Sequence, residues 1–327
     1  MPKSSVFSSK ALHGFKQFVR SEASRFLALA LFLVAVFYII PICISVYMSF
    51  TPLRNWNIDR YAGIFVGLEN YYRFFYLLAN DPSVKSVFLT TAVFVALTLA
   101  VNVLGGLSLA IATFFVNERA AGGLQLLWLL PRMTPIAVYS LIWYYFFHPS
   151  SIGTINGILY KLGLISKPID IGQGIIPWGA WAIIVFVNGL VGVSYGMIVF
   201  TSAINNIPKE LVIAARVDGA SNWDITRKIL VPMLRWHILY VTTWQLLSLL
   251  TTYDHLFLLV KWGLVNRDYG TTWSLYIYNT AFLTGLQDQG LAAAAGVILV
   301  IVSSILGFIT LKLMGFDKLI KPPRGDL

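Results

Sequence analysis

Residues 206 to 232 read Asn206-Ile-Pro-Lys-Glu-Leu-Val-Ile-Ala-Ala-Arg-Val-Asp-Gly-Ala-Ser-Asn-Trp-Asp-Ile-Thr-Arg-Lys-Ile-Leu-Val-Pro232. The stretch is too polar to cross a bilayer and too well punctuated to be a slack connection. Asn206 can cap a helix, and Pro208 fits a first helical turn, where its missing N–H costs nothing. Gly219 supplies a left-handed stop. Ser221, followed three residues later by Asp224, reads as a capping box that starts a second helix, and Pro232 ends it. The spacing therefore predicts two short helices meeting at nearly a right angle at Gly219. Leu211, Ala214 and Ala215 fall near one face of the first, where the two alanines let another backbone come close. A rigid, partly apolar helix of this kind is the pattern of a docking element, the local alternative being an amphipathic helix lying on lipid.

Apolar blocks stand on both sides of this stretch. Six are long enough for the roughly 20 residues that a helical bilayer crossing needs. They run over Phe26–Phe50, Phe88–Phe114, Leu124–Phe147, Trp178–Ile204, Trp236–Val260 and Leu291–Met314. Hydrophobic residues form 57% of the chain and charged ones 12%, with a mean hydropathy of +0.74. A soluble surface needs about a quarter of its residues charged, so the expectation is an all-α membrane protein of about six transmembrane helices. Its parts are a tail over residues 1–25, a transmembrane domain over 26–314 carrying the loop 205–235, and a tail over 315–327. Gly105–Gly106 and Pro131 with Pro135 are expected to break the second and third spans, as bundle helices tolerate. The first span follows Lys3, Lys10, Lys16, Arg20 and Arg25 as a signal peptide would. Its apolar run is too long for one and no small-residue cleavage site follows, so it is read as a retained anchor.

Fifteen Lys and Arg lie in the two tails, the second–third loop and the fourth–fifth loop, against eight in the opposite loops; Arg132, inside the third span, belongs to neither set. That asymmetry predicts both termini in the cytoplasm. It also gives the net charge of +10 a topological meaning and argues against nucleic acid as a partner. The single cysteine, Cys43, excludes a disulfide within the chain, and the four histidines (His13, His148, His237, His255) show no metal-binding spacing. No Gly-x-Ser-x-Gly, His-x-x-x-His or pair of intramembrane carboxylates points to catalysis, and no Gly-x-x-x-x-Gly-Lys-(Ser/Thr) to nucleotide binding. A secondary transporter would carry inverted repeats and ion-coupling residues within its spans, and neither stands out. The chain is expected to be neither an enzyme nor a self-contained pump.

The loop resembles the cytoplasmic loop of binding-protein-dependent ABC importer permeases. That family's pattern is Glu-Ala-Ala, three residues, Gly, nine residues, Ile-x-Leu-Pro. Here Ala214-Ala215 precede Gly219, and nine residues later come Ile229-Leu230-Val231-Pro232. Ile207 to Leu211 and Asp218-Gly219-Ala220 are similar to the carbohydrate branch. So are Phe65-Val-Gly-Leu-Glu-Asn-Tyr71, Leu275-Tyr-Ile-Tyr-Asn-Thr-Ala-Phe282 and Gly290-Leu-Ala-Ala-Ala. Two departures stand out. Ile213 occupies the place of the motif Glu, and Lys261-Trp-Gly-Leu-Val-Asn266 replaces a Thr-Gly-Gly-Gly-Pro stretch.

The resemblance implies a type I ABC importer permease fold in the plasma (inner) membrane of a prokaryote. It implies a second homologous permease, a dimer of ATPase subunits that bind ATP and Mg²⁺, and an extracytoplasmic solute-binding protein, with lipid around the spans and no cofactor of the chain's own. The residues it assigns to ATPase coupling are Leu211, Ala214, Ala215, Asp218, Gly219, Ile229 and Pro232, with Glu210, one turn before Ile213, as the acidic contact in place of the missing Glu. A sugar is the expected solute, a polyamine or a glycerol phosphate the alternative. Sugars present hydroxyl edges and apolar ring faces, so polar and aromatic residues are candidates for the solute pathway: Trp244, Gln245, Tyr253 and Asp254 of the fifth span, and Tyr276, Tyr278 and Asn279 near the mouth of the last. The run Trp143-Tyr-Tyr-Phe-Phe147 is expected to form an interfacial belt instead.

Overall fold

The computed structural model describes residues 22–313, apart from 62, 175, 176, 284 and 286. The expected tails, with most of their basic residues and His13, lie largely outside the described residues. Four spans are unbroken helices, over Leu27–Ser49, Pro82–Phe114, Trp178–Asn205 and Gln289–Leu313. The other two are interrupted. Leu124–Phe147 is not one rod: Glu118–Met133 and Ile136–Phe147 meet at 101°. Pro135 has no N–H to donate and forces Thr134 into an extended conformation (ψ 131°), which ends the first helix there. Trp236–Val260 likewise divides into Arg235–Thr251 and Asp254–Lys261. Thr251 and Thr252 hydroxyls fold back to the Ser248 carbonyl (3.0 and 2.8 Å), and the Thr252 carbonyl accepts from the Ser274 hydroxyl (2.6 Å) instead of continuing the helix.

Gly105 and Gly106 break nothing. They lie inside the unbroken Pro82–Phe114 helix and form half of a tight seam with Trp178–Asn205. A Cβ on Gly106 would stand 2.8 Å from the Gly196 Cα, and one on Gly192 would stand 2.0 Å from the Asn102 amide nitrogen. In a bilayer, where apolar side chains gain little by leaving lipid, this close approach is what holds helices together. The seam is pinned by polar bonds. Buried Asn102 donates to Gln245 Oε1 (3.2 Å), and Gln245 Nε2 donates to the Gly192 carbonyl (2.8 Å), so one amide pair ties three helices.

Apolar packing continues from the seam in two directions. Toward the Trp178 end, Phe94, Ile184, Leu256, Leu259 and Leu275 form one core. Trp143, Tyr144 and Phe147 pack against it, and Trp143 meets Phe186 edge to face at 5.0 Å, so much of the aromatic run serves as interior packing and not as an outward belt. Toward the Asn205 end, Phe200, Ile204, Ile225, Leu230 and Val241 form a second core that includes residues of the loop.

At the far end of the first span, Asn70 (2% exposed) donates to the Ser49 and Thr51 carbonyls, and Asp288 pairs with Arg54 (3.1 Å) and Arg73 (2.7 Å). The Val66-Gly-Leu-Glu-Asn-Tyr71 signature thus has a local reason: Gly67 turns the chain at φ +58° and Asn70 staples the end of the span. Over the rest of its length the first span packs chiefly on the last, and none of its most apolar window is buried.

Candidate coupling loop and membrane cavity

The loop folds as two helices around a corner. The first is Lys209–Val217. Pro208 stands at its N-cap, one place earlier than expected, and Asn206 does not cap it; the Asn206 amide turns back to the Ser202 carbonyl (2.9 Å), closing the preceding span. At the other end Gly219 adopts φ +79°, its N–H reaches the Arg216 carbonyl (3.0 Å) and that of Ala220 reaches Ala215 (2.9 Å). This is a left-handed helix stop that only glycine adopts without strain.

The second helix starts at a complete capping box, Ser221 with Asp224. The Ser221 hydroxyl, then Lys228 at 3.0 Å, hold the Asp224 carboxyl down to about 2. Pro232 does not end this helix. The chain widens into a π turn over Thr226–Leu230, where the Val231 N–H reaches back to Thr226, and runs on through Val231–Met233. A proline at 232 cannot bond to the carbonyl four residues earlier and crowds it, and a wider turn relieves both problems.

The first loop helix has two faces. Val212 and Ala215, with Ala220 and Ile229 nearby, pack on the core built from Ile225, Leu230 and Phe200. Ala215 therefore seats the helix on its own chain, while Ala214 stays exposed and open to an approaching backbone. The outer face shows Ile213 (60% exposed) and Val217 (82%), Leu211 (45%) lies at the flank, and Trp223 (71%) stands beyond the corner. Glu210 and Asp218 are exposed and make no ion pair with the described residues. Ile213 is thus one of several exposed apolar side chains on the loop, of which Val217 and Trp223 escaped the sequence reading. Their signal was available: spacing of four places Val217 one turn beyond Ile213.

The pathway candidates separate into groups. Tyr276 and Asn279 line a cavity with Arg73, Asp81 and Asp288. Tyr253 stacks on Tyr278 at 4.9 Å, and Tyr278 leans on the core. Gln245 is buried in the three-helix lock just described. Asp254 begins the short helix after the break, where its Oδ1 accepts from the His255 backbone N–H (3.0 Å) and lies 3.1 Å from the His255 ring, whose Nε2 lies 3.1 Å from Asn188 Nδ2. These groups and Ser248, Thr252, Gln245 and Arg132 line a cavity of about 200 Å³ at the bend between the two halves of the third span. Trp244 is 54% exposed and stacks with Tyr195 at 6.3 Å and 22°; Tyr195 donates to the Tyr240 hydroxyl (3.2 Å) and lies under the Arg132 guanidinium (5.3 Å). Sequence reasoning missed Arg132, Tyr195, Asn188 and His255. A charge set between two prolines in an apolar run marked Arg132; only tertiary structure brings the others to it.

Comparison with known proteins agrees with this architecture. The lactose transport system permease LacF of Rhizobium radiobacter is 27% identical over 271 residues, 81% of this chain and 88% of that protein. The diacetylchitobiose uptake permease NgcF of Streptomyces coelicolor is 29% identical over 290 residues, 86% and 78% of the two chains. In structure the chain is similar to one from a bacterial alginate ABC transporter solved in complex with an alginate pentasaccharide-bound periplasmic protein, with a TM-score of 0.76 at 18% identity over 93% of this chain and 97% of that one. Residues 102–316 match the family of binding-protein-dependent transport system inner membrane components. With the type I permease fold on one side and a family of transport components, not enzymes, on the other, the chain belongs to that family as a multi-pass permease subunit of an ABC importer.

Proposed function

We propose that this subunit carries a saccharide or a sugar-like solute across the plasma membrane of a prokaryote, with both termini in the cytoplasm. It works with a second homologous permease, a pair of ATPase subunits that hold ATP and Mg²⁺, and an extracytoplasmic binding protein that delivers the solute. The observation that carries this reading is the two-faced helix at Lys209–Val217, anchored on one side by Val212 and Ala215 and bare on the other at Ile213 and Val217. A partner pushing on such a helix moves the attached span ends instead of bending a loop, and that is how two distant sites come to bias one bistable element. Gly219 fixes the angle at which the push is delivered. The relatives' names, lactose and diacetylchitobiose permeases, and the Trp244–Tyr195 stack favour a saccharide.

The test is purification from native membranes through a tag on this chain, followed by reconstitution in lipid. A nucleotide hydrolase and a second permease should accompany it, and a binding protein loaded with its saccharide should stimulate ATP hydrolysis. Replacing residues 209–232 by a flexible linker should abolish the stimulation. Recovery of the chain alone, or uptake that survives the replacement, contradicts the proposal.

A further inference from the structure

We infer that the transported solute bears an oxyanion, a carboxylate or a phosphate on a sugar-like frame, and that Arg132 reads it in the cavity at the bent third span. The inference rests on the import reading above and narrows its solute class. Arg132 lies in the last turn of Glu118–Met133, about 21 Å along that helix at 1.5 Å per residue. It is exposed beside Tyr195, which is itself about 15 Å from the Asn205 end of its own span. A cation at such depth is costly, about 2.5–3.5 kcal/mol on insertion scales, and is kept where it has a task.

No acidic side chain among the described residues pairs with Arg132. Its Cζ lies 5.3 Å from the centre of the Tyr195 ring, and its N–H groups make no hydrogen bond to another described residue. The carboxylate that shares the cavity, Asp254, has its Oδ1 occupied by the backbone N–H and ring of His255, which is in turn held by Asn188. The cavity therefore presents a cation with no carboxylate partner among the described residues and an anion held by one of its two oxygens. A fork of N–H donors matches two oxygens of a carboxylate or phosphate, and the Tyr195–Trp244 stack beside it offers an apolar surface to a sugar ring. A polyamine meets the opposite charge requirement.

The experiment uses the whole importer in nanodiscs with its binding protein. Three probes are compared: digalacturonate, the neutral disaccharide obtained by reducing its carboxyls, and glycerol 3-phosphate. Binding and stimulated ATP hydrolysis are measured for wild type, Arg132→Gln and Arg132→Lys. The expected result is that an anionic probe is preferred and that Arg132→Gln weakens its handling about tenfold to a hundredfold. Any residual response to the neutral probe should change less than about twofold, with Arg132→Lys intermediate, because it keeps the charge and loses the fork. Preference for digalacturonate or for the phosphate identifies the oxyanion. Equal losses for neutral and anionic probes, no response to either anionic probe, or loss of the second permease from the Arg132→Gln complex overturns the inference. A neutral disaccharide carried well and indifferent to Arg132 overturns it while leaving saccharide import standing; a phosphate response alone, lost in Arg132→Gln, does the reverse.

Discussion

The seam between Pro82–Phe114 and Trp178–Asn205 and the short helix at Lys209–Val217 both use small residues to bring backbones together, yet they end differently. In the seam every approach is completed within the chain: Gly106 meets Gly196, Gly192 meets Asn102, and the Asn102 amide is tied through Gln245. In the loop helix only Val212 and Ala215 are covered, and Ala214, Ile213 and Val217 face outward. The difference separates residues that hold the subunit together from residues that wait for something else. Substitutions in the two places should therefore fail in different assays.

The largest effect belongs to the seam. Gly106→Val places its branched carbon against the Gly196 backbone, which cannot rotate away, and should cost about 3 kcal/mol of stability, seen as loss of folded protein from membranes and a lowered unfolding temperature in detergent. Normal expression of that variant would break the comparison on the closed side. Next comes Val217→Glu with Trp223→Ala. The pair should cut solute-stimulated ATP hydrolysis at least tenfold while the unfolding temperature stays within about 2 °C, since neither side chain is packed in its own chain. An equal fall in stability would erase the distinction.

Gln245→Leu sharpens the comparison from within the seam. It leaves the buried Asn102 amide without its acceptor and removes the tie to the Gly192 carbonyl, and should cost about 1–3 kcal/mol in thermal unfolding. Glu210→Lys, on an exposed side chain, should reduce coupled ATP hydrolysis a few-fold, more at low salt than at high. Undiminished coupling in Glu210→Lys removes that residue from the contact.

The smallest effect is expected from pH. A carboxyl depressed on folding, as Asp224 is, to about 2, stabilises the folded state fully above its unfolded value and loses that contribution only as pH falls toward 2. The start of the second loop helix, followed by amide exchange after correcting for intrinsic rates, should therefore be unchanged between pH 5 and 8. A transition inside that window assigns the titration to another group.

Much of this was legible in the residues because it depends on neighbours in sequence. The Gly219 stop and the Ser221–Asp224 box are local hydrogen-bond patterns, and the sequence contains all their parts. The break at Pro135 is local as well, although its 101° angle is not, since a proline ends a helix without saying where the next one points. What could not be read depends on partners far along the chain. Gly105 and Gly106 look like helix breakers until the opposing Gly196 is in place, and nothing local to Gln245 shows that Asn102, 143 residues away, is its partner. Pro232 was misjudged for a subtler reason: a π turn let the helix carry it. In the cavity, Asp254 stands out in the sequence by its charge within a span, while the company that Arg132 keeps with Tyr195, and its want of a carboxylate partner among the described residues, show only in three dimensions.

The first span leans chiefly on the last. Its own end, Ser49, is made roughly 240 residues before Gln289, where its support begins. At about 5–20 residues per second of synthesis, this helix stands unsupported by its principal neighbour for about 12–50 s. During that interval the brace that the last span later supplies must come from lipid or from the insertion machinery.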